Sequence, residues 1–330
     1  MKQNQPTIIV NMTRALCMGL LSLLLLGTVP AAYADHSGYS GLVVFGDSLS
    51  DPGNVYALTG QQSVAPYEPV PTFPYAIGGN HFSNGKTYVE RLARRLHLNV
   101  TAKATFNPEI RRATNYAVGA ARARVGGPPR LLDLTGEVNA FLSDFGNQAP
   151  LDALYVIWIG GNDIRDALEA AFVDPTLATS FQILEAAVLG EAANIGALAT
   201  AGATDFLVLN APNLAVTPAV MALGPQAIGA AMMFSAGFNN GLSDALDGLE
   251  LLFPDIAITR FDTFAFLTTV AADGAAFGLP QTTVPCLTFF VLEDAVCDKP
   301  KEYMFWDAIH PTTSTHRLLA RKVGKALMAP

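Results

Sequence analysis

A serine lies where the sequence predicts the end of a buried strand. Residues 42–51, LVVFGDSLSD, pass from an apolar run rich in β-branched side chains to a polar turn at Gly46. This pattern predicts a strand, then a turn, then a helix or helical loop. Ser48 would occupy the carboxyl edge of the strand, where open α/β sheets bind their ligands. It could be a nucleophile, although serine beside glycine and aspartate is also ordinary turn chemistry.

A histidine that could activate such a serine follows much later, in the segment FWDAIHPT at 305–312. Pro311 keeps His310 out of the helical backbone region, so Asp307 and His310 are predicted to share a turn. An aspartate at this spacing can accept the Nδ1 proton of His310, which fixes the tautomer and leaves Nε2 free as a base. The pattern alone does not establish catalysis.

Two more segments carry groups that could stabilise an oxyanion. Gly119 lies among small residues at 115–121, where glycine permits a close backbone approach or a positive φ. A packing role explains that glycine equally well. The apolar run at 153–159 predicts a buried strand and ends in GGND, which contains Asn162. Together with the serine and the Asp-His pair, these groups provide the nucleophile, base, orienter and oxyanion donors that acyl transfer requires.

A sheet must bring these strand ends together. The apolar patterns predict five strands, at 42–46, 99–106, 153–159, 205–209 and 256–261. Helical patterns alternate with them, which predicts a single α/β domain with a parallel sheet covered on both faces. The proline- and aromatic-rich stretch 65–82 is predicted to be a long irregular loop.

Composition limits the classes of partner. The chain has 330 residues, of which 51% are hydrophobic and 15% charged, with a formal net charge of −8. This is enough apolar material for a sizeable core. Nucleic acid binding would need a basic face, so we expect no nucleic-acid partner. Because no pair of His or Cys residues has ligand spacing, we expect no metal and no other cofactor.

Residues 1–34 have the features of a secretory signal peptide. Lys2 and Arg14 precede an apolar run at 15–26, and a small-x-small end follows at 32–34. We therefore predict cleavage after Ala34, a mature domain at 35–330 and export to the periplasm or the medium. The alternative is an uncleaved anchor, but the run is short for a span of ~20 residues.

Without this leader the chain keeps two cysteines, Cys286 and Cys297. In an exported protein, two cysteines separated by a short loop predict a disulfide, which would stabilise the fold by ~3 kcal/mol. The alternative is a pair of buried thiols.

The segments around Ser48, Gly119 and Asn162 and the segment at 307–311 resemble, in this order, the four sequence blocks of the GDSL (SGNH) esterase/lipase family. The resemblance covers essentially the whole mature chain. It implies a flavodoxin-like three-layer α/β/α sandwich with a five-stranded parallel sheet.

The same resemblance implies roles for individual residues. Ser48 would be the nucleophile, His310 the base and Asp307 its orienter. The oxyanion hole would comprise the backbone N–H groups of Ser48 and Gly119 and the side-chain amide of Asn162.

Family members include carboxylesterases, lipases, phospholipases and acyltransferases, so the substrate is less defined. We expect a monomer that acts on a small-molecule or lipid ester and contacts membrane surfaces, if at all, through its substrate. The loop 65–82 and four phenylalanines could line an acyl-chain site: Phe264, Phe266, Phe289 and Phe290. An acyltransferase and a catalytically silent ligand-binding protein are the alternatives.

Overall fold

A parallel four-stranded sheet forms the centre of the fold. The computed structural model describes residues 38–126 and 131–328, so the signal peptide predicted at 1–34 lies outside the described residues. The strands are β1 (Gly41–Gly46), β2 (Ala153–Trp158), β3 (Asp205–Leu209) and β4 (Ala257–Phe261), in that spatial order. Gly46 pairs with Trp158, and Trp158 with Leu209, so the carboxyl ends of β1, β2 and β3 meet at one edge. A separate two-stranded sheet joins β5 (Gln281–Pro285) to β6 (Tyr303–Phe305).

The prediction of a strand at 99–106 is wrong, because the main sheet has four strands and not five. The segment folds into turns beside β1. Threonine hydroxyls satisfy the backbone groups of Leu42 there: its N–H donates to Thr101 Oγ1, and its carbonyl accepts Thr114 Oγ1. Asn115 adds an isolated bridge to β1. Backbone groups of residues 114–118 also hydrogen-bond β1, at Val44 and Gly46, so this irregular segment takes the place of a fifth strand.

Helices cover both faces of the sheet. In chain order they are α1 (Asn54–Thr59), α2 (Tyr88–Arg95), α3 (Leu134–Asp144), α4 (Gly161–Ala171), α5 (Ala178–Thr200), α6 (Pro218–Met221), α7 (Pro225–Leu252), α8 (Thr263–Ala272) and α9 (Thr313–Ala326). Alternate strand residues point to opposite faces. Phe45 and Tyr155 pack in a core with residues of α3, α4, α5 and α7, whereas Val44 and Val156 pack with residues of α2 and α9. This arrangement confirms the predicted three-layer α/β/α fold.

Helix α5 is long and apolar enough, by length and composition alone, to cross a membrane. Its Leu184, Ala187, Ile195 and Leu198 are buried in the core on the α3, α4 and α7 side of the sheet. Core packing therefore accounts for part of the apolar composition of α5, whereas Phe181 and Leu189 are exposed.

Cys286 and Cys297 form the predicted disulfide. The loop that it closes lies alongside β6, because the Cys286 N–H donates to the carbonyl of Phe305 and the Leu287 N–H donates to that of Trp306. The stretch 65–82 contains no helix or strand, as predicted, and packs against this loop. The two irregular segments together cover the chain just before Asp307.

Candidate active site

Ser48 lies in a tight turn at the carboxyl end of β1, where the sequence placed it. The turn is closed by the Ser50 N–H, which donates to the carbonyl of Asp47 at 3.0 Å. Gly46 makes the turn feasible: its φ is +147°, and a Cβ there would lie 2.3 Å from the Trp158 carbonyl oxygen on β2. Any larger residue at this position would have to displace the turn that carries the serine.

Asp307 and His310 share a turn between β6 and α9. Oδ1 of Asp307 accepts the backbone N–H groups of Ile309 and His310, at 2.8 and 2.7 Å. The His310 carbonyl accepts the Trp306 N–H at 2.8 Å. These hydrogen bonds fix the backbone of the turn, and with it the starting direction of both side chains.

The fold brings these distant segments into contact. Ser48 Oγ lies 2.8 Å from His310 Nε2, although the two residues are 262 positions apart. His310 Nδ1 lies 2.6 Å from Asp307 Oδ2, and the Asp307 side chain is fully buried. An ionised carboxylate only accepts hydrogen bonds, so Nδ1 carries the proton and Nε2 can take the proton of the serine. The arrangement is that of a nucleophile, a base and an orienter.

Asn162 lies close to the same serine. It is the second residue of α4 and lines one cavity with Ser48 and His310. Its Nδ2 donates to the carbonyl of Ala121 at 2.9 Å. A side-chain amide has two N–H bonds, so one remains to bind a substrate oxygen in the cavity.

The backbone N–H of Gly119, predicted to lie in the oxyanion hole, already has a partner inside the protein. This N–H donates to Asp51 Oδ2 at 2.9 Å, so it can bind a substrate oxygen only if this hydrogen bond is given up. The absence of a side chain at Gly119 lets the ring of Phe82 pack against its backbone, because a Cβ there would lie 2.3 Å from that ring. The Phe82 ring lies 5.5 Å from the imidazole of His310, measured between centroids. Gly119 therefore makes room for an aromatic ring beside the histidine.

Two buried carboxyl groups hold the backbone around the serine turn. Glu137 on α3 accepts the N–H of Gly46 at 2.8 Å and that of Val118 at 3.0 Å. Asp51 accepts the Asn54 N–H at the start of α1, in addition to that of Gly119. Burial raises the pKa of Glu137 well above its usual value and that of Asp51 to about 6. Neither residue was predicted to have a role from the sequence. The signal that could have found Glu137 is a carboxylate on the buried face of an amphipathic helix.

A cluster of ion pairs fixes the start of α4. Arg124 contacts Asp163 and Asp166, each at 2.6 Å, and Arg122 contacts Asp166 at 2.8 Å. Both arginines follow the Gly119 segment in the chain, and both aspartates follow Asn162. The cluster therefore joins the two segments from which the oxyanion donors were predicted, and sequence reasoning missed it because the partners are about 40 positions apart.

A cavity of about 210 Å³ opens beside the serine and histidine. Its lining is mostly apolar and includes Leu168, Leu214, Val220, Leu267, Phe305 and Ile309. The stretch 65–82 contributes Val70 to the lining, and none of the four phenylalanines proposed from the sequence lines it. The apolar surface comes instead from α4, α6, α8 and the connection between β3 and α6.

Within residues 38–126 and 131–328, no group of three or more His, Cys, Asp or Glu side chains is placed to hold a metal ion. Four titratable residues line the cavity, Asp47, Arg165, Glu169 and His310, and Asp47 and His310 lie beside Ser48. Burial raises the pKa of Asp47 to about 6.

Comparison with known proteins shows which family model and which relatives this chain is similar to. A family model described as GDSL-like lipase/acylhydrolase matches residues 42–323. A GDSL esterase/lipase of Arabidopsis thaliana is 24% identical over 319 residues, covering 85% of this chain and 80% of the plant protein. Lipase 1 of Photorhabdus luminescens is 29% identical over 191 residues, covering 58% of this chain and 25% of the lipase. The thermolabile hemolysin of Vibrio parahaemolyticus is 24% identical over 300 residues, covering 86% of this chain and 62% of the hemolysin. The chain thus spans a quarter of the lipase and less than two thirds of the hemolysin.

Proposed function

Because the chain belongs to the GDSL-like lipase/acylhydrolase family, we propose that it hydrolyses carboxylic esters through an acyl-enzyme on Ser48. The contact of 2.8 Å between Ser48 Oγ and His310 Nε2 carries this proposal. A serine hydroxyl is a weak nucleophile at neutral pH until a base within hydrogen-bond reach takes its proton. The geometry provides that base without further movement.

The reaction has two steps. His310 Nε2 takes the Ser48 proton while Oγ attacks the ester carbonyl, and the protonated imidazole then gives this proton to the leaving alcohol. A water molecule, deprotonated by the same nitrogen, then attacks the acyl-enzyme, and Nε2 returns that proton to Ser48 Oγ as the acid leaves. Asp307 keeps the imidazole in the required tautomer and stabilises its charged form.

Two donors, the Ser48 N–H and the Asn162 amide, are assigned to stabilise the negative charge that develops on the carbonyl oxygen. The Gly119 N–H is engaged by Asp51 and is left out of this assignment. Fixed donors stabilise an oxyanion strongly because they need no reorganisation when the charge forms.

Asn162→Ala is therefore expected to lower kcat by about 10²–10³, since one preorganised donor is lost. The measurement is kcat for a nitrophenyl ester, with circular dichroism to check the fold. Asn194→Ala is the matched control, because Asn194 is similarly buried on α5 and hydrogen-bonds Thr135 and Gly190 away from the cavity. An unchanged kcat in Asn162→Ala would remove this residue from the oxyanion hole.

The apolar cavity supports an ester with an apolar acyl chain as substrate. Burial of each methylene in such a pocket contributes about 0.8 kcal/mol, so binding should rise with chain length until the pocket is filled. Nitrophenyl esters of graded chain length, followed by phospholipids, test this proposal. Product analysis with an added alcohol then separates hydrolysis from acyl transfer to the alcohol.

Ala219→Leu is expected to shift the chain-length preference toward short esters. Ala219 lines the cavity, so a larger side chain there takes space from the acyl chain. The ratio of kcat/KM for long over short esters should fall by about tenfold, the discrimination typical of small changes in an apolar pocket. Ala222→Leu, at the exposed end of the same helix, is the control. Equal ratios in both variants would place the acyl chain elsewhere.

Exposed apolar side chains surround the mouth of this cavity. Phe172 is 64% exposed, Leu223 57% and Val70 40%, and all three belong to the cavity lining. We propose that they contact the surface of an aggregated lipid substrate. Co-sedimentation with phospholipid vesicles tests this contact, and absence of binding would remove it.

We also propose export with cleavage after Ala34. The Cys286–Cys297 disulfide supports this, because such bonds persist in oxidising compartments. N-terminal sequencing of the exported protein is the measurement, and any start other than Asp35 would overturn the assigned cleavage site.

A further inference from the structure

The carboxylate of Asp307 accepts four hydrogen bonds. Three of the donors belong to its own turn: the N–H groups of Ile309 and His310, on Oδ1, and His310 Nδ1, on Oδ2. The fourth donor is the hydroxyl of Tyr75, which lies 2.7 Å from Oδ2 and 232 positions away in the chain. Oδ2 is therefore shared between the histidine and a tyrosine from the stretch 65–82.

The hydroxyl of Tyr75 can act only as a donor toward an ionised carboxylate. Tyr75 and Asp307 are both fully buried, so water does not solvate either group. Burial, together with the neighbouring charge of Asp307, raises the pKa of Tyr75 far above its usual value, so the phenol keeps its proton. A hydrogen bond to an ionised group in such surroundings stabilises the charged form of the carboxylate.

The aromatic cluster around Tyr75, formed by Tyr67, Trp306 and the disulfide loop, holds its ring in place. The Tyr75 ring lies 5.6 Å from that of Tyr67 and 5.8 Å from that of Trp306, centroid to centroid, with edge-to-face geometry. Cys286 and Leu287 belong to the same buried cluster. This packing holds the ring, and with it the hydroxyl oxygen, beside Oδ2.

We propose that Tyr75 is a positioning residue of the catalytic triad, which orients the Asp307 carboxylate and limits the basicity of His310. The proposal rests on the proposed function, because it assumes that His310 is the base. By drawing charge from Oδ2, the hydroxyl weakens the stabilisation that Asp307 gives to the imidazolium. The disulfide loop and the stretch 65–82 then both bury the hydrogen bond between Tyr75 and Asp307.

Tyr75→Phe tests the proposal because it removes one hydroxyl and keeps the ring. Without that donor, Asp307 stabilises the imidazolium more strongly, so the acid limb of the kcat/KM profile should move to higher pH by about half a unit or more. The titratable groups around His310 are Asp307, Asp47 and His316, together with Arg165 and Glu169 in the wall of the same cavity, and Tyr75→Phe leaves all five in place.

Tyr67→Phe is the matched control, since it makes the same substitution in the same cluster without touching Asp307. Its acid limb should coincide with that of the wild type. An unmoved limb in Tyr75→Phe, or an equal shift in both variants, would overturn the proposal and reduce Tyr75 to core packing.

If Tyr75→Phe does not fold, a ring-fluorinated tyrosine at position 75 tests the same role of the hydroxyl. Its more acidic hydroxyl donates more strongly, so the acid limb should move to lower pH, and no shift would again overturn the proposal. Failure of the proposed function is distinguishable from these outcomes, because the wild-type protein itself would then show no hydrolysis that depends on Ser48.

Discussion

Ser48→Ala is expected to lower kcat for ester hydrolysis by about 10⁴-fold or more, because it removes the atom that bonds to the acyl group. The remaining parts of the site, the Asn162 amide and the apolar cavity, can still bind substrate, so KM should change little. The measurement is steady-state hydrolysis of a nitrophenyl ester, together with labelling by a fluorophosphonate. The wild-type protein should take up one label at Ser48, and the variant none.

Ser50→Ala is the control for the Ser48 substitution. Ser50 lies in the same turn and is buried, but its hydroxyl lies near Tyr88, at 3.4 Å from the phenol oxygen. The variant should keep its activity within about threefold, as expected for a hydroxyl outside the reacting centre. If Ser48→Ala retained wild-type turnover, another nucleophile would be responsible. If the wild-type protein neither reacted with the fluorophosphonate nor hydrolysed esters, the chain would be a silent member that only binds ligands.

Local patterns predicted the parts of the site that depend on short stretches of sequence. The strand-to-turn change at Gly46 placed Ser48 at a sheet edge, and the proline after His310 placed Asp307 and His310 on one turn. Both signals come from backbone restrictions that act between neighbouring residues. That the two turns would meet was implied only by the resemblance to the GDSL family, because the turn with His310 follows β6, which lies outside the main sheet.

Two hydrogen-bonding arrangements near the site depend on partners outside the local stretch of sequence. The segment 99–106 has strand-like composition, but the backbone of residues 114–118 hydrogen-bonds the edge of β1 instead. Gly119 has a backbone N–H suited to an oxyanion, but Asp51 accepts it. Neither arrangement can be identified from local propensity, because the tertiary fold decides which partner each backbone group meets.

The cavity illustrates a second limit. The loop 65–82 and four phenylalanines were expected to line it. The loop contributes Val70, but much of the apolar wall comes from Leu214, Val220 and Leu267 on segments that follow β3 and β4. A hydrophobic side chain gives no sequence signal that distinguishes a pocket wall from the core, since both positions favour the same residue types. Substrate class is therefore better inferred from the shape of the cavity than from the composition.

Asp307→Asn tests how the orienting carboxylate acts, and the structure determines which way the new amide must face. Oδ1 accepts two backbone N–H groups of its own turn, those of Ile309 and His310. An asparagine must keep its oxygen in this position, because turning the amide would set its NH₂ against two donors. Its nitrogen then takes the place of Oδ2, where it faces His310 Nδ1 and the hydroxyl of Tyr75.

In that orientation the asparagine donates to Nδ1, so the imidazole proton moves to Nε2. Nε2 is then a donor toward Ser48 and cannot take its proton, and kcat should fall by about 10⁴-fold although the packing is unchanged. The measurement is kcat for a nitrophenyl ester, with thermal unfolding to check stability. Asp144→Asn is the control, because Asp144 also accepts a tyrosine hydroxyl, that of Tyr116, but lies on α3 outside the triad. If Asp307→Asn stayed within about tenfold of the wild type, His310 would not depend on this carboxylate for its tautomer, and the assignment of the triad would fail.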